Sequence, residues 1–197
     1  MNFLAHIYLS GESEEIMLGN FIADAIRGKE YQTFPEQIQT GVLLHRQIDC
    51  FTDTHPVFNQ SRARLRKEYG KYAGVVGDIF YDHFLAVEWN NYHKQPLAEF
   101  AENTYRLIQN RIDILPGKVQ EFFPYMVRGN WLFNYSRIEG IKRTLEGMSR
   151  RTKFSTNLYT AIDELRRDYS LYQEEFRNFF PEVQKFTLDY LSRNLEK

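Results

Sequence analysis

"GVLLHRQIDCFTDTHP" (residues 41–56) decides how the chain is read. His45, Asp49 and Asp53 recur every four positions, about one helical turn, so the three share a face. Val42, Leu44, Ile48 and Phe51 fall between them, at spacings that bury the rest of a helix. His55-Pro56 ends it, because the residue before proline disfavours helical backbone. Pro35 is tolerated in a first turn, so a helix is predicted from there through "PEQIQTGVLLHRQIDCFTD". Acids and imidazoles on a half-buried helix are costly unless they are paired or bound to a metal.

The same periodicity extends outward in both directions. "EEIMLGNFIADAIRG" (14–28) places Ile16, Asn20, Asp24 and Gly28 four apart, with Gly28 expected as its C-terminal cap. "VFNQSRARLRKEYG" is expected to be a helix ending at Gly70, and "VVGDIFYDHFLAVEWNNY" another. "QPLAEFAENTYRLIQNRIDILP" follows, then one or two helices around Pro124 in "KVQEFFPYMVRGNWLFNYS". "IEGIKRTLEGMSRR" and two closing helices from residue 156 complete the chain. Alternating strand patterns are scarce. The expectation is an all-α, compact multi-helix fold, residues 1–197 forming one domain.

Composition narrows the function classes. Hydrophobic residues make up 43% of 197, enough for a sizeable core. A net charge of -1 exerts no global pull toward nucleic acid. Cys50 is the only cysteine, which excludes an internal disulfide and a cysteine-rich zinc site. No apolar run approaches the roughly 20 residues of a membrane helix. "MNFLAHIYLS" lacks a cationic leader and contains His6, so a cytoplasmic location is expected.

Further polar residues stand in apolar sequence. Asp78 and Asp82 are a four-spaced pair among Val75, Val76, Ile79, Phe80, Phe84 and Leu85. Asp24 follows Asn20, and His6 lies in the opening block. Carboxylates and imidazoles from facing helices build metal sites in helical proteins. This mixture without thiolates suits Mn²⁺, Mg²⁺ or Fe²⁺. The plainer reading of any one of them is a satisfied core residue. His83 aligns with Ile79 and Val87 rather than with Asp82, so it supports a ligand or simply fills the core. His55 reads as a turn residue, His93 as a loop residue and Asp53 as a cap for the next helix. There is no GxSxG, P-loop or GxGxxG, and Cys50 in an apolar helix is expected to be inert.

"MNFLAHIYLS", "GNFIAD", "LHRQIDCFTDTHP" and "GDIFYDHFLA", in this order and spacing, resemble the acyl carrier protein phosphodiesterase family. "NWLFNYSRIEGIKRTLEGMSRR" resembles its C-terminal half. That family is similar to a distorted, circularly rearranged HD phosphohydrolase, so the resemblance implies an HD-domain-like fold. It also implies hydrolysis of the phosphodiester that joins phosphopantetheine to a serine of holo acyl carrier protein, with a divalent metal, typically Mn²⁺. Matched block by block, it implies Asp24, His45, Asp49, Asp78 and Asp82 as ligands or their direct support. Asp24, His6 and His83 become the candidates for catalytic roles, and nothing chooses between the two histidines as proton donor. The adjacent pair Asp82-His83 is reversed relative to ordinary HD enzymes.

A divalent ion suits this chemistry, because it neutralises phosphate charge and lowers the pKa of water. The implied partner, holo acyl carrier protein, is acidic around its modified serine. "NQSRARLRKEYGK" offers Arg62, Arg66 and Lys67 to it, with Arg62 and Arg66 on one helix face. "IKRTLEGMSRRTK" offers Lys142, Arg143, Arg150, Arg151 and Lys153. Two other readings remain at this point: an HD-like hydrolase of a nucleotide or other small phosphoester, and a non-enzymatic helical interaction module.

Overall fold

The computed structural model describes residues 1–151 and 157–195, and every regular element among them is a helix. In chain order these are α1 Phe3–Tyr8, α2 Glu14–Ile22, α3 Glu36–Thr54, α4 Pro56–Tyr69 and α5 Ala73–Val87. Then come α6 Leu97–Gln109, α7 Gly117–Arg128, α8 Trp131–Asn134, α9 Ile138–Arg151, α10 Ala161–Arg167 and α11 Tyr169–Leu195. The all-α reading therefore holds. No helix among the described residues is long and apolar enough to cross a membrane.

The helix read from residues 41–56 is α3. Pro35 stands just before it as N-cap, and His55 ends it in extended conformation. His55 also begins α4, where its Nδ1 accepts the Val57 N–H at 3.3 Å. The cap expected of Asp53 is thus made by His55, while Asp53 accepts from Arg62 at 3.0 Å. α2 ends sooner than its spacing predicts. Residues 23–25 tighten into a 3₁₀ turn, and Ile26 turns extended and buries itself. Asp24 consequently lies on an exposed turn beyond the face that carries Asn20. In the later segment the chain breaks at Asn130, whose φ is +41°, rather than at Pro124, which lies inside α7.

α5 passes through the middle of the core. Val76, Ile79, Phe80, Phe84 and Leu85 on it are fully buried. α11 lays Tyr172, Phe176, Phe179, Phe180 and Val183 into the same core. α2 and α3 cross backbone to backbone at Gly19 and Gly41. A Cβ on Gly41 would meet Ile16 O at 2.1 Å, and one on Gly19 would meet Ile38 O at 2.1 Å. That approach places Asn20 of α2 beside His45, one turn beyond Gly41 on α3.

Candidate metal centre and its cavity

Three short stretches converge. His6 comes from α1, Asn20 from α2, and His45 with Asp49 from α3. The imidazoles of His6 and His45 stack with centroids 3.9 Å apart and planes inclined by 15°. Both rings are buried. His6 Nε2 lies 3.2 Å from Asp49 Oδ1, and His45 Nε2 lies 3.2 Å from Asp49 Oδ2. Asp24 Oδ1 approaches His45 Nε2 at 3.4 Å. One ligand atom from each of His6, His45 and Asp49 falls within 4.8 Å of the others.

The hydrogen bonds fix which ring nitrogens carry protons. The Asn20 amide nitrogen donates to His6 O at 2.8 Å and to Ser10 Oγ at 2.9 Å. A main-chain carbonyl only accepts, so this end of the amide is the NH₂ and Oδ1 is the acceptor. His6 Nδ1 therefore donates to Asn20 Oδ1 at 2.8 Å. His45 Nδ1 donates to Asn20 O at 2.9 Å, with Oδ1 at 3.1 Å. Both Nε2 atoms face the carboxylates.

Burial and the neighbouring His45 hold the His6 imidazole down to about 4. It is neutral near pH 7, so its Nε2 presents a lone pair to a carboxylate oxygen. Burial also works against charge on His45, but hydrogen bonds to Asp24 and Asp49 outweigh it and push His45 up to about 9. Desolvation would raise the Asp49 carboxyl, yet His45, His6 and the Met1 ammonium drive it far below the usual carboxylate range. The hydrogen bond from His45 likewise lowers Asp24. Two imidazoles and a carboxylate form a donor set that suits a borderline divalent cation.

The other sequence-predicted residues are placed differently. Asp82 is fully buried and accepts N–H groups from Asn2 at 3.2 Å, Leu4 at 2.8 Å and Ala5 at 3.3 Å. It thereby holds the first turn of α1, where a carboxylate suits the helix dipole. Burial pushes it up to about 7 against the pull of the Met1 ammonium and these amides. Asp78 accepts from the Met1 ammonium at 2.9 Å, and burial raises it. Met1 N lies 3.9 Å from Asp49 Oδ1, which links Asp78 to the cluster's edge. His83 donates from Nδ1 to Tyr135 O at 2.7 Å, leaving Nε2 to accept from the Tyr169 hydroxyl at 3.0 Å. Both its nitrogens are occupied, and it is not among the residues lining the cavity.

A cavity of about 1300 Å³ opens over the cluster. Asp24, His45, Asp49 and Asp78 line one part of it. Arg62 and Arg66 of α4 border it, as do Lys71 and Lys118, while Lys67 is exposed outside it. A third part is aromatic: Phe3, Phe21, Phe122 and Trp131. Phe122 and Trp131 lie parallel, 6.4 Å between centroids. Lys142, Arg143 and Arg150 are exposed on α9, and Lys153 lies outside the described residues. Lys118 and the aromatic wall were missed by the sequence reading. Lys118 and Phe122 come from α7 and Trp131 from α8, while Phe3 and Phe21 come from α1 and α2, beside the polar residues of the opening blocks.

A sequence model described as acyl carrier protein phosphodiesterase matches residues 1–183. The chain belongs to that family. A relative from Escherichia coli O6:H1 is 32% identical over 187 residues, 93% of this chain and 95% of its own. One from Photorhabdus laumondii is 31% identical over 182 residues, 92% of each. One from Yersinia pestis is 28% identical over 186 residues, 94% of this chain and 96% of its own. All three carry the name acyl carrier protein phosphodiesterase. No solved structure matches the chain.

Proposed function

We propose that this protein hydrolyses the phosphodiester linking phosphopantetheine to holo acyl carrier protein, using a centre formed by His6, His45 and Asp49. Membership of the family supports the reaction. The convergence of two stacked imidazoles and a carboxylate beneath a large, basic-edged cavity, with His45 and Asp49 in its lining, carries the assignment of the site. Mn²⁺ is the preferred ion, with Fe²⁺ and Mg²⁺ as alternatives, because nitrogen and oxygen donors are mixed and no thiolate is present. When bound, the ion supplies charge neutralisation for the phosphodiester and activation of water.

The chain's own residues do the rest. His6, His45 and Asp49 hold the ion. Asp24, charged and at the mouth beside His45, orients water, takes its proton at a carboxylate oxygen and gives that proton to the serine oxygen as the P–O bond to the carrier protein breaks. Asp78 and Asp82 act one step back: Asp82 anchors the helix that carries His6, and Asp78 neutralises the Met1 ammonium beside Asp49. His83 braces α5 against Tyr135 and Tyr169 and takes no part in proton transfer. Arg62, Arg66 and Lys118 draw the phosphate and the acidic carrier surface to the cavity. The aromatic wall of Phe3, Phe122 and Trp131 receives the pantetheine arm.

The test is intact-mass measurement of holo acyl carrier protein incubated with the enzyme, with and without Mn²⁺. The mass of the phosphopantetheine group should be lost, leaving apo-carrier protein, and only with the ion present. An unchanged holo mass alongside hydrolysis of nucleotides would replace this reading with that of a small-phosphoester hydrolase.

A further inference from the structure

Asn20 is fully buried, and both its side-chain polar atoms and its main-chain oxygen are engaged within the cluster. What distinguishes asparagine is that one residue presents two acceptors and two donors to two different helices. Its side-chain oxygen takes His6 Nδ1–H, and its main-chain oxygen takes His45 Nδ1–H. Its NH₂ holds His6 O, so the backbone of α1 is tied to the same group that orients the His6 ring. Ser10 Oγ also donates to His6 O at 2.8 Å while accepting from Asn20, which closes the network.

We propose that Asn20 is the positioning residue of the centre, locking His6 and His45 together as Nδ1–H rings so that both Nε2 atoms turn toward Asp49. An imidazole without such a partner exchanges between two tautomers and rotates about its side chain. Partners of this kind fix tautomer and ring orientation, and losing them weakens metal binding. The proposal rests on the metal-centre reading above. It adds that one buried residue engages both nitrogen ligands, its side-chain oxygen holding His6 and its main-chain oxygen His45, so that substitution of the side chain releases the His6 arm.

The test compares Asn20→Leu, which removes the acceptor at similar volume, with Asn20→Asp, which keeps the acceptor for His6 Nδ1–H while giving up the two donors to His6 O and Ser10 Oγ. Asn20→Ser, smaller and polar but too short to reach His6, is the second acceptor-free variant. Two quantities are read on protein shown to be folded by circular dichroism. One is the tautomer of His6 in metal-free, ¹⁵N-histidine-labelled protein, from two-bond proton–nitrogen correlations assigned with a His6→Gln variant. The other is the Kd for Mn²⁺ by calorimetry. Wild type and Asn20→Asp should show the Nδ1–H form. Asn20→Leu and Asn20→Ser should show Nε2–H, and their Kd should rise by about 10- to 100-fold. An Nδ1–H ring in the acceptor-free variants, or a Kd equal to that of wild type, would overturn the proposal. If the wild type itself takes up no Mn²⁺, the metal reading fails, and the tautomer comparison alone decides the role of Asn20.

Discussion

Asp49 and Asp82 are both aspartates in apolar helical sequence, yet their surroundings assign them opposite work. Asp49 faces two imidazole nitrogens and a cavity. Asp82 faces three amides and no solvent. Asp49→Ala should therefore abolish measurable turnover, falling at least about 100-fold, while the thermal melt stays near wild type. Asp82→Ala should instead destabilise the protein, by about 1–3 kcal/mol for each buried donor left unpaired, as read from urea denaturation. If Asp82→Ala melts normally but is inactive, Asp82 is a ligand after all. His83→Gln separates the two histidine candidates. It should lower stability by about 1–3 kcal/mol through its buried tyrosine partners. Its turnover on holo acyl carrier protein should stay within a few-fold, and a loss comparable to Asp49→Ala would restore His83 to the chemistry.

At the scale of elements, helix existence was legible and helix ends were less so. α3 could be read almost to the residue, because nineteen residues with one period and a flanking His-Pro leave few alternatives. α1 could not be read, since six residues are too short to display a period. Its helicity depends on Asp82, far away in sequence. α2 was read too long because four-spacing alone cannot show that Ile26 leaves the helix to reach the core. The crossing of α2 on α3 was equally hidden, as Gly19 and Gly41 look like ordinary helix-weakening glycines until their backbones touch. Gly41→Ala tests that crossing. Its Cβ would strike the Ile16 carbonyl, so the helices must separate, at a cost of about 1–3 kcal/mol or more. Because His45 then withdraws from Asn20, Mn²⁺ affinity should fall with stability. A variant that stays stable and binds Mn²⁺ normally would show that the contact does not set the centre.

At the scale of the whole molecule, the site joins residues that no local pattern connects. The motif blocks put His6, Asp24, His45, Asp49, Asp78, Asp82 and His83 forward as one set, but did not show which of the acids would meet the imidazoles. That sorting depended on burial and on amide partners. The second half of the chain adds Lys118, Phe122 and Trp131 to the cavity. α4 supplies Arg62 and Arg66 at its edge, with Arg62 already paired to exposed Asp53, a contact worth little in water. Reversing both arginines to glutamate should raise KM for holo acyl carrier protein more than it lowers kcat. Added salt should weaken the wild type more than the variant. Equal losses on a small nitrophenyl phosphodiester would instead place these arginines on the phosphate itself.

The central claim is that His6, His45 and Asp49 hold the ion on which hydrolysis depends. Anomalous diffraction at the manganese edge, from crystals soaked in Mn²⁺, tests it most directly. The account predicts the strongest peak between the two Nε2 atoms and the Asp49 carboxylate, lost on chelation. A strongest peak between Asp78 and Asp82, or none within reach of the stacked imidazoles, would contradict it.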